Sequence, residues 1–212
     1  LKRTNLTIKE HIFLKKYCEK KGVDYLCTPF SFKSADILEK DIKLKIFKVG
    51  SGELTNIPLQ IHIAKKKFPT IISTGMSSLK EVENTIRIVK KFNKNIAITQ
   101  CTSAYPCPTK ISDIGVIPKY ISKFKLITGL SDHTNSIYTS IGSISLGSRI
   151  IEKHFTLNKK SKGPDHASSI EFEELKELVN GSNIIFLAKN SKKKIHHKEK
   201  EIIKWARESV VS

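Results

Sequence analysis

Short, apolar, β-branched segments recur near residues 24, 44, 70, 97, 126 and 150, and each gap between them holds one helical pattern. The interval of about 20 to 29 residues is too long for hairpins and suits a strand, a turn and a crossover helix. Strands are expected over residues 23–27, 44–49, 70–73, 96–101, 126–129 and 149–153. Helices are expected over residues 7–21, 34–40, 56–66, part of 112–124, 135–146 and 171–189. The clearest helix follows Ser78, which with Glu81 forms a capping-box pattern ahead of Leu79, Val82, Ile86 and Val89. Repeated βα units close either as an open doubly wound sheet or as a barrel. A (β/α)8 TIM barrel takes eight strands and roughly 250 residues. Six strands point to such a barrel without its first two strands, or to an open sheet.

Composition narrows the partners. The chain of 212 residues carries a formal net charge of +18. Its lysines fall in scattered runs, such as Lys65-Lys66-Lys67 and Lys192-Lys193-Lys194, without interleaved aromatics or a nucleic-acid motif. The charge therefore reads as solvated faces, or as attraction for a small anionic substrate, and no nucleic acid is expected. No run approaches the ~20 apolar residues that span a bilayer, so no membrane partner is expected. Cys18, Cys27, Cys101 and Cys107 form no CxxC pair, which argues against structural zinc and for reduced thiols. A cytoplasmic location is expected.

Polar residues follow almost every expected strand: Thr28; then Lys48, Ser51 and Glu53; Ser73 and Thr74; Ser103 and Tyr105; Ser131 and His133; Glu152 and His154. In a parallel barrel these ends share one face, where active sites are built. Strand parity places Glu152 and His154 inward with Lys153 outward, and Phe47 and Val49 against helices with Lys48 on the other side. A lysine ringed by hydroxyls suits a phosphate or carboxylate. Adjacent strands lie roughly 5 Å apart, so His133 and His154 are positioned to share one divalent ion, with Mn2+ or Mg2+ expected. The plainer alternatives are unrelated imidazoles, Ser and Thr that merely cap helices, and Asp165 as a Pro-Asp turn residue.

Several segments taken together resemble the sialic acid synthases, which make N-acetylneuraminate, legionaminate and pseudaminate. They are Phe47-Lys-Val-Gly-Ser-Gly-Glu53, Ser73-Thr-Gly-Met76, Gln100-Cys-Thr-Ser-Ala-Tyr-Pro106, Ser131-Asp-His-Thr134, Ile151-Glu-Lys-His-Phe-Thr156 and Gly163-Pro-Asp-His166. The resemblance implies a (β/α)8 barrel and a metal-assisted transferase reaction. Phosphoenolpyruvate condenses with an N-acetylated amino sugar, such as N-acetylmannosamine, and water, releasing phosphate. It implies His133 and His154 as metal ligands. Thr28, Lys48, Ser51, Ser73 and Ser131 match positions around phosphoenolpyruvate, and Ser103, Tyr105 and Asp165 match positions near either substrate. Glu53 matches a proton-transfer residue, and Glu53, Lys48 and Glu152 are the candidate catalytic groups. Ser103 stands where the N-acetylneuraminate branch carries Asn, which leaves the sugar open. The resemblance further implies that residues 1–190 are a partial synthase barrel. Residues 191–212 then read as a linker, helical over 199–210, towards a C-terminal antifreeze-like domain that lends an Arg across a domain-swapped homodimer. On that reading the isolated chain has little activity. Two other classes compete: a Schiff-base aldolase using Lys48, and a basic nucleic-acid-binding module.

Overall fold

The structure is a computed structural model that describes residues 5–189 and 192–207. Five strands form one parallel sheet in sequence order: β1 (Phe47–Val49), β2 (Thr70–Ser73), β3 (Ile96–Cys101), β4 (Ile127–Asp132) and β5 (Ile151–Lys153). Each is joined to the next by one main helix: α3 (Ile57–Lys65), α4 (Leu79–Val89), α5 (Val116–Phe124) and α6 (Tyr138–Ser145). Helices α1 (Ile8–Lys20) and α2 (Phe32–Lys40) precede the sheet, and α7 (Phe172–Ala188) and α8 (His197–Ala206) follow it. The expected helix over 199–210 is thus seen as α8, and its positions 208–210 lie outside the described residues.

The sheet curls. Strands β1 and β5 are its opposite edges, and a flat sheet would hold them about 19 Å apart, four spacings of about 4.8 Å. Yet Lys48 Nζ on β1 lies 2.8 Å from Glu152 Oε1 on β5. Only a strongly curved sheet, with both side chains on its concave face, lets them meet. The architecture is α/β, with a parallel half-barrel sheet.

The sixth expected strand, at 23–27, is not one. That segment joins no ladder of the sheet. Two of its residues still pack, because Tyr25 and Cys27 lie against the main core and the Tyr25 hydroxyl meets His11 Nδ1 at 2.7 Å, whereas Val23 and Leu26 are exposed. Partial burial of alternate residues, without backbone pairing, accompanies its strand-like pattern. The strand expected from Leu44 begins only at Phe47.

The parity expected of β1 holds. Phe47 and Val49 are fully buried with Leu38, Leu59, Ile63, Ile72 and Val82 between sheet and helices, each large side chain stabilising the fold by about 1.5–3 kcal/mol. The capping box of α4 forms as expected. Glu81 N donates to Ser78 Oγ, and Ser78 N donates to Glu81 Oε2 at 2.7 Å. Its buried stripe is Val82, Thr85, Ile86 and Val89, whereas Leu79 is half-exposed. Thr85 enters the stripe because its hydroxyl donates to the Leu54 carbonyl at 3.1 Å, which satisfies the polar atom on burial. Gly129 lets β5 approach β4, since a Cβ there would sit 2.5 Å from the Ile150 carbonyl oxygen. No described helix is long and apolar enough to cross a membrane.

Candidate active site

The concave face of the sheet carries side chains from all five strand ends. A cleft of about 240 Å3 is lined by Thr28, Lys48, Ser51, Ser73, Ser103, Tyr105, Ser131, His133, Glu152 and His154, with Phe30, Gly50, Gly52, Met76 and Cys101. Eight of the ten distinct residues expected to carry catalysis or bind substrate are therefore spread over or beside this cleft or its rim, together with both imidazoles; the exceptions are Glu53 and Asp165.

The register explains the convergence. Ser131 pairs with Glu152 and Asp132 with Lys153, so the next level brings His133 beside His154. Their ring centroids lie 5.2 Å apart, and Tyr105 packs 4.3 Å from His133 and 5.7 Å from His154. Ser73 Oγ and Thr99 Oγ1 are 2.9 Å apart in the buried wall, at matching positions of β2 and β3. The Gly75 amide donates to Ser51 Oγ at 3.0 Å. A Cβ on Gly75 would lie 2.4 Å from Ser103 Oγ and 2.8 Å from Ser51 Oγ. Glycine is therefore the residue that lets the β2 loop close onto these hydroxyls.

Electrostatics divide the cleft. The Lys48 ammonium and Glu152 carboxylate, with side chains 17% and 37% exposed, form an ion pair across it. Burial pushes the His133 imidazole below its ordinary value, against the Thr102 carbonyl, Glu152 and Asp132. Burial, then the neighbouring His133, lowers His154 as well. Both rings are thereby biased towards the neutral, ligating form. Burial raises the Tyr105 phenol, as does Cys101. The Thr102 carbonyl lies 3.2 Å from His133 Nδ1. A proton on Nδ1 satisfies that carbonyl and leaves the Nε2 lone pair for a ligand.

That donor set fits one divalent ion held by two imidazoles with its remaining positions open. Among the described residues no three His, Cys, Asp or Glu side chains gather into a fuller metal cage. Glu152 is committed to Lys48.

Glu53 and Asp165 do not line the cleft. Glu53 sits in a short 3-10 turn, Ser51–Glu53, where its carboxylate accepts from Asn56 Nδ2 at 2.7 Å. Asp165 is exposed just before the short 3-10 turn His166–Ser168 that leads to α7, and its backbone carbonyl accepts from the Ser168 and Ser169 hydroxyls. Its charge reaches Tyr105 and His154 only through space.

Two features lay outside the sequence reading. Cys101, the last residue of β3, lines the cleft with its sulfur 3.8 Å from His133 Nδ1. Behind the sheet, Asp132 and Lys153 form a buried ion pair at 3.0 Å. Parity does put Lys153 on the helix side, but among protein groups rather than in solvent. Burial opposes the Asp132 charge, yet Ser140, Lys153, Thr134 and Thr139 hold its carboxyl below the ordinary range. The alternating chemistry of Ser131-Asp132-His133 and Glu152-Lys153-His154 was the available signal for this pair.

The N,N'-diacetyllegionaminic acid synthase of Campylobacter jejuni is 40% identical over 181 residues, covering 84% of this chain and 54% of that protein. The human N-acetylneuraminate-9-phosphate synthase is 36% identical over 173 residues, covering 81% of this chain and 48% of that protein. The chain thus spans about half the length of these relatives. The crystal structure of a sialic acid synthetase from Leptospira borgpetersenii, in complex with citrate, superposes with a TM-score of 0.89 at 29% identity, over 96% of this chain and 72% of that one. A truncated 3-deoxy-D-arabino-heptulosonate 7-phosphate synthase from Thermotoga maritima shares the fold at a TM-score of 0.75 and 17% identity. The model of the NeuB family matches residues 1–194, and the chain belongs to that family.

Proposed function

We propose that this chain carries the catalytic face of a synthase that condenses phosphoenolpyruvate with an N-acetylated amino sugar and water, giving a sialic-type acid and phosphate. One observation carries the reading. A lysine, a ring of hydroxyls and two neutral-biased imidazoles converge in a single cleft at the C-terminal ends of parallel strands. The names of the relatives support the substrate class. The TM-score of 0.89 supports reading the curled sheet of five strands as part of a (β/α)8 barrel. A homodimer, and a linker role for residues 191–212, rest on the family resemblance.

Each residue has a role in this scheme. Lys48 binds the carboxylate or phosphate of phosphoenolpyruvate, and Ser51, Ser73, Ser131 and Thr28 donate to its oxygens. The Gly75 loop fixes Ser51 for that task. His133 and His154 would hold Mn2+ or Mg2+, which supplies Lewis acidity towards a carbonyl oxygen when bound. Ser103 and Tyr105 face the same cleft and orient the sugar. Once the anion takes Lys48, Glu152 is released from its ion pair and becomes the carboxylate best placed to accept the proton of the attacking water. That assigns to Glu152 the step the resemblance gave to Glu53, whose carboxylate is held by Asn56 outside the cleft. Asp165 lies outside the cleft lining, and its part in holding the sugar rests on the family resemblance.

The aldolase alternative fits less well. The Lys48 nitrogen faces a carboxylate at 2.8 Å, an arrangement that suits an ammonium gripping an anion more than an amine attacking a carbonyl. The test is phosphate release from phosphoenolpyruvate against a panel of N-acetylated hexoses, with Mn2+ or Mg2+, by the protein encoded in the whole reading frame. Sugar-dependent phosphate release, with no imine trapped by borohydride, is expected. An imine at Lys48, or phosphate release indifferent to the sugar, overturns the proposal.

A further inference from the structure

We infer that the buried Asp132–Lys153 pair is the positioning device for the two imidazoles, kept for register rather than for stability. The inference rests on the proposal that His133 and His154 share an ion. The pair lies on the opposite face of the sheet from the cleft, with side chains 1% and 4% exposed, and its members are directly opposite each other in the β4–β5 ladder. One residue beyond each stands a histidine.

The bonding ties both strands to the loop between them. Asp132 Oδ1 accepts from the Thr134 amide at 2.8 Å. Oδ2 accepts from Thr139 Oγ1 at 2.7 Å and Ser140 Oγ at 2.6 Å, and meets Lys153 Nζ at 3.0 Å. Lys153 Nζ also donates to the carbonyls of Thr134 at 2.6 Å and Ser136 at 3.1 Å. Lys153 on β5 therefore grips the backbone immediately after His133, and Asp132 grips it from β4. The His133 carbonyl is held in turn by the Cys107 amide at 2.8 Å.

Strand β5 is three residues long, so its ladder alone resists sliding weakly. A slip by one residue would turn His154 from the cleft to the helix side. A charge pair at one fixed level penalises that slip, because a displaced Lys153 leaves a buried carboxylate uncompensated. Stability does not demand the pair. Replacing a buried ion pair by side chains of similar volume is often neutral or better for folding, whereas a partner that orients metal ligands typically carries 10–100-fold in metal affinity.

The test is the double variant Asp132→Asn/Lys153→Met, with Lys153→Arg beside it, each titrated with Mn2+ calorimetrically and melted without metal. The double variant is expected to melt within a few degrees of the unaltered chain and to bind Mn2+ about 10–100-fold more weakly. Lys153→Arg is expected to fall between the two in affinity, because a planar fork replaces a compact ammonium. Unchanged Mn2+ affinity in the double variant overturns the inference, as does a double variant that fails to fold. If the unaltered chain itself binds no Mn2+, the proposed metal fails, and a crystal structure of the double variant then decides the positioning role. Imidazole centroids still 5.2 Å apart overturn it, and separated rings support it.

Discussion

Replacing Lys48 by methionine separates its two jobs, because stability and ligand binding draw on it very differently. The Lys48–Glu152 pair is only partly buried, with side chains 17% and 37% exposed. Pairs of this kind contribute about 1 kcal/mol or less to folding, which for a chain of this size shifts the melting temperature by about 2–4 °C. A charge-assisted hydrogen bond to a bound anion is worth about 1.5–3 kcal/mol, or about 10- to 150-fold in Kd. Lys48→Met should therefore melt close to the unaltered chain and bind phosphoenolpyruvate at least about tenfold more weakly. Glu152→Gln should behave oppositely. It removes the carboxylate that competes for the ammonium at 2.8 Å, so affinity for phosphoenolpyruvate holds or rises while turnover collapses. Calorimetric titration and thermal melts on the two variants measure all of this. If both variants weaken binding alike, or if Lys48→Met leaves it unchanged, the picture of an ammonium exchanged between an internal and an incoming anion is wrong.

Gly75→Ala is expected to introduce about 1–3 kcal/mol of overpacking by placing a methyl 2.4 Å from Ser103 Oγ and 2.8 Å from Ser51 Oγ. Phosphoenolpyruvate affinity should fall while circular dichroism still reports the fold. Asp36 is held at a pKa of about 2, below its ordinary 3.8, by hydrogen bonds from Lys66 and His62. A carboxyl lowered on folding contributes stability above its unfolded pKa and loses it as pH falls through the folded one. Asp36→Asn should therefore melt lower than the unaltered chain at neutral pH. The gap should close as pH drops from 3.8 towards 2, and thermal melts over that range check it.

Most of the sheet was readable because a parallel βα repeat writes itself twice, as apolar runs and as helical stripes. The range of β3 matches the expected one in full, and the Ser78–Glu81 box marks α4 to the residue. The segment 23–27 misled because Tyr25 and Cys27 are half-buried against the core without joining a ladder. A single apolar run does not say whether its backbone is paired. The site was legible as far as parity reaches. Lys48, Glu152, His133 and His154 could be assigned to one face by counting in twos. The ion pair between strands at opposite sheet edges could not, because it depends on curvature that no local pattern records. Glu53 shows the reverse limit. It directly follows the Gly50-Ser51-Gly52 run in sequence, yet its partner is the helix-capping Asn56.

The clasp between Lys48 and Glu152 joins positions more than a hundred residues apart in the chain. Neighbouring strands here are also neighbours in sequence, so the sheet can grow stepwise from local pieces, each addition closing only a short loop. The cleft has no such partial version. Until the last strand docks, the ammonium lacks its counter-charge and one imidazole lacks its mate. Occupancy of the pocket by a small anion thus doubles as a gauge of whether the entire ladder has assembled.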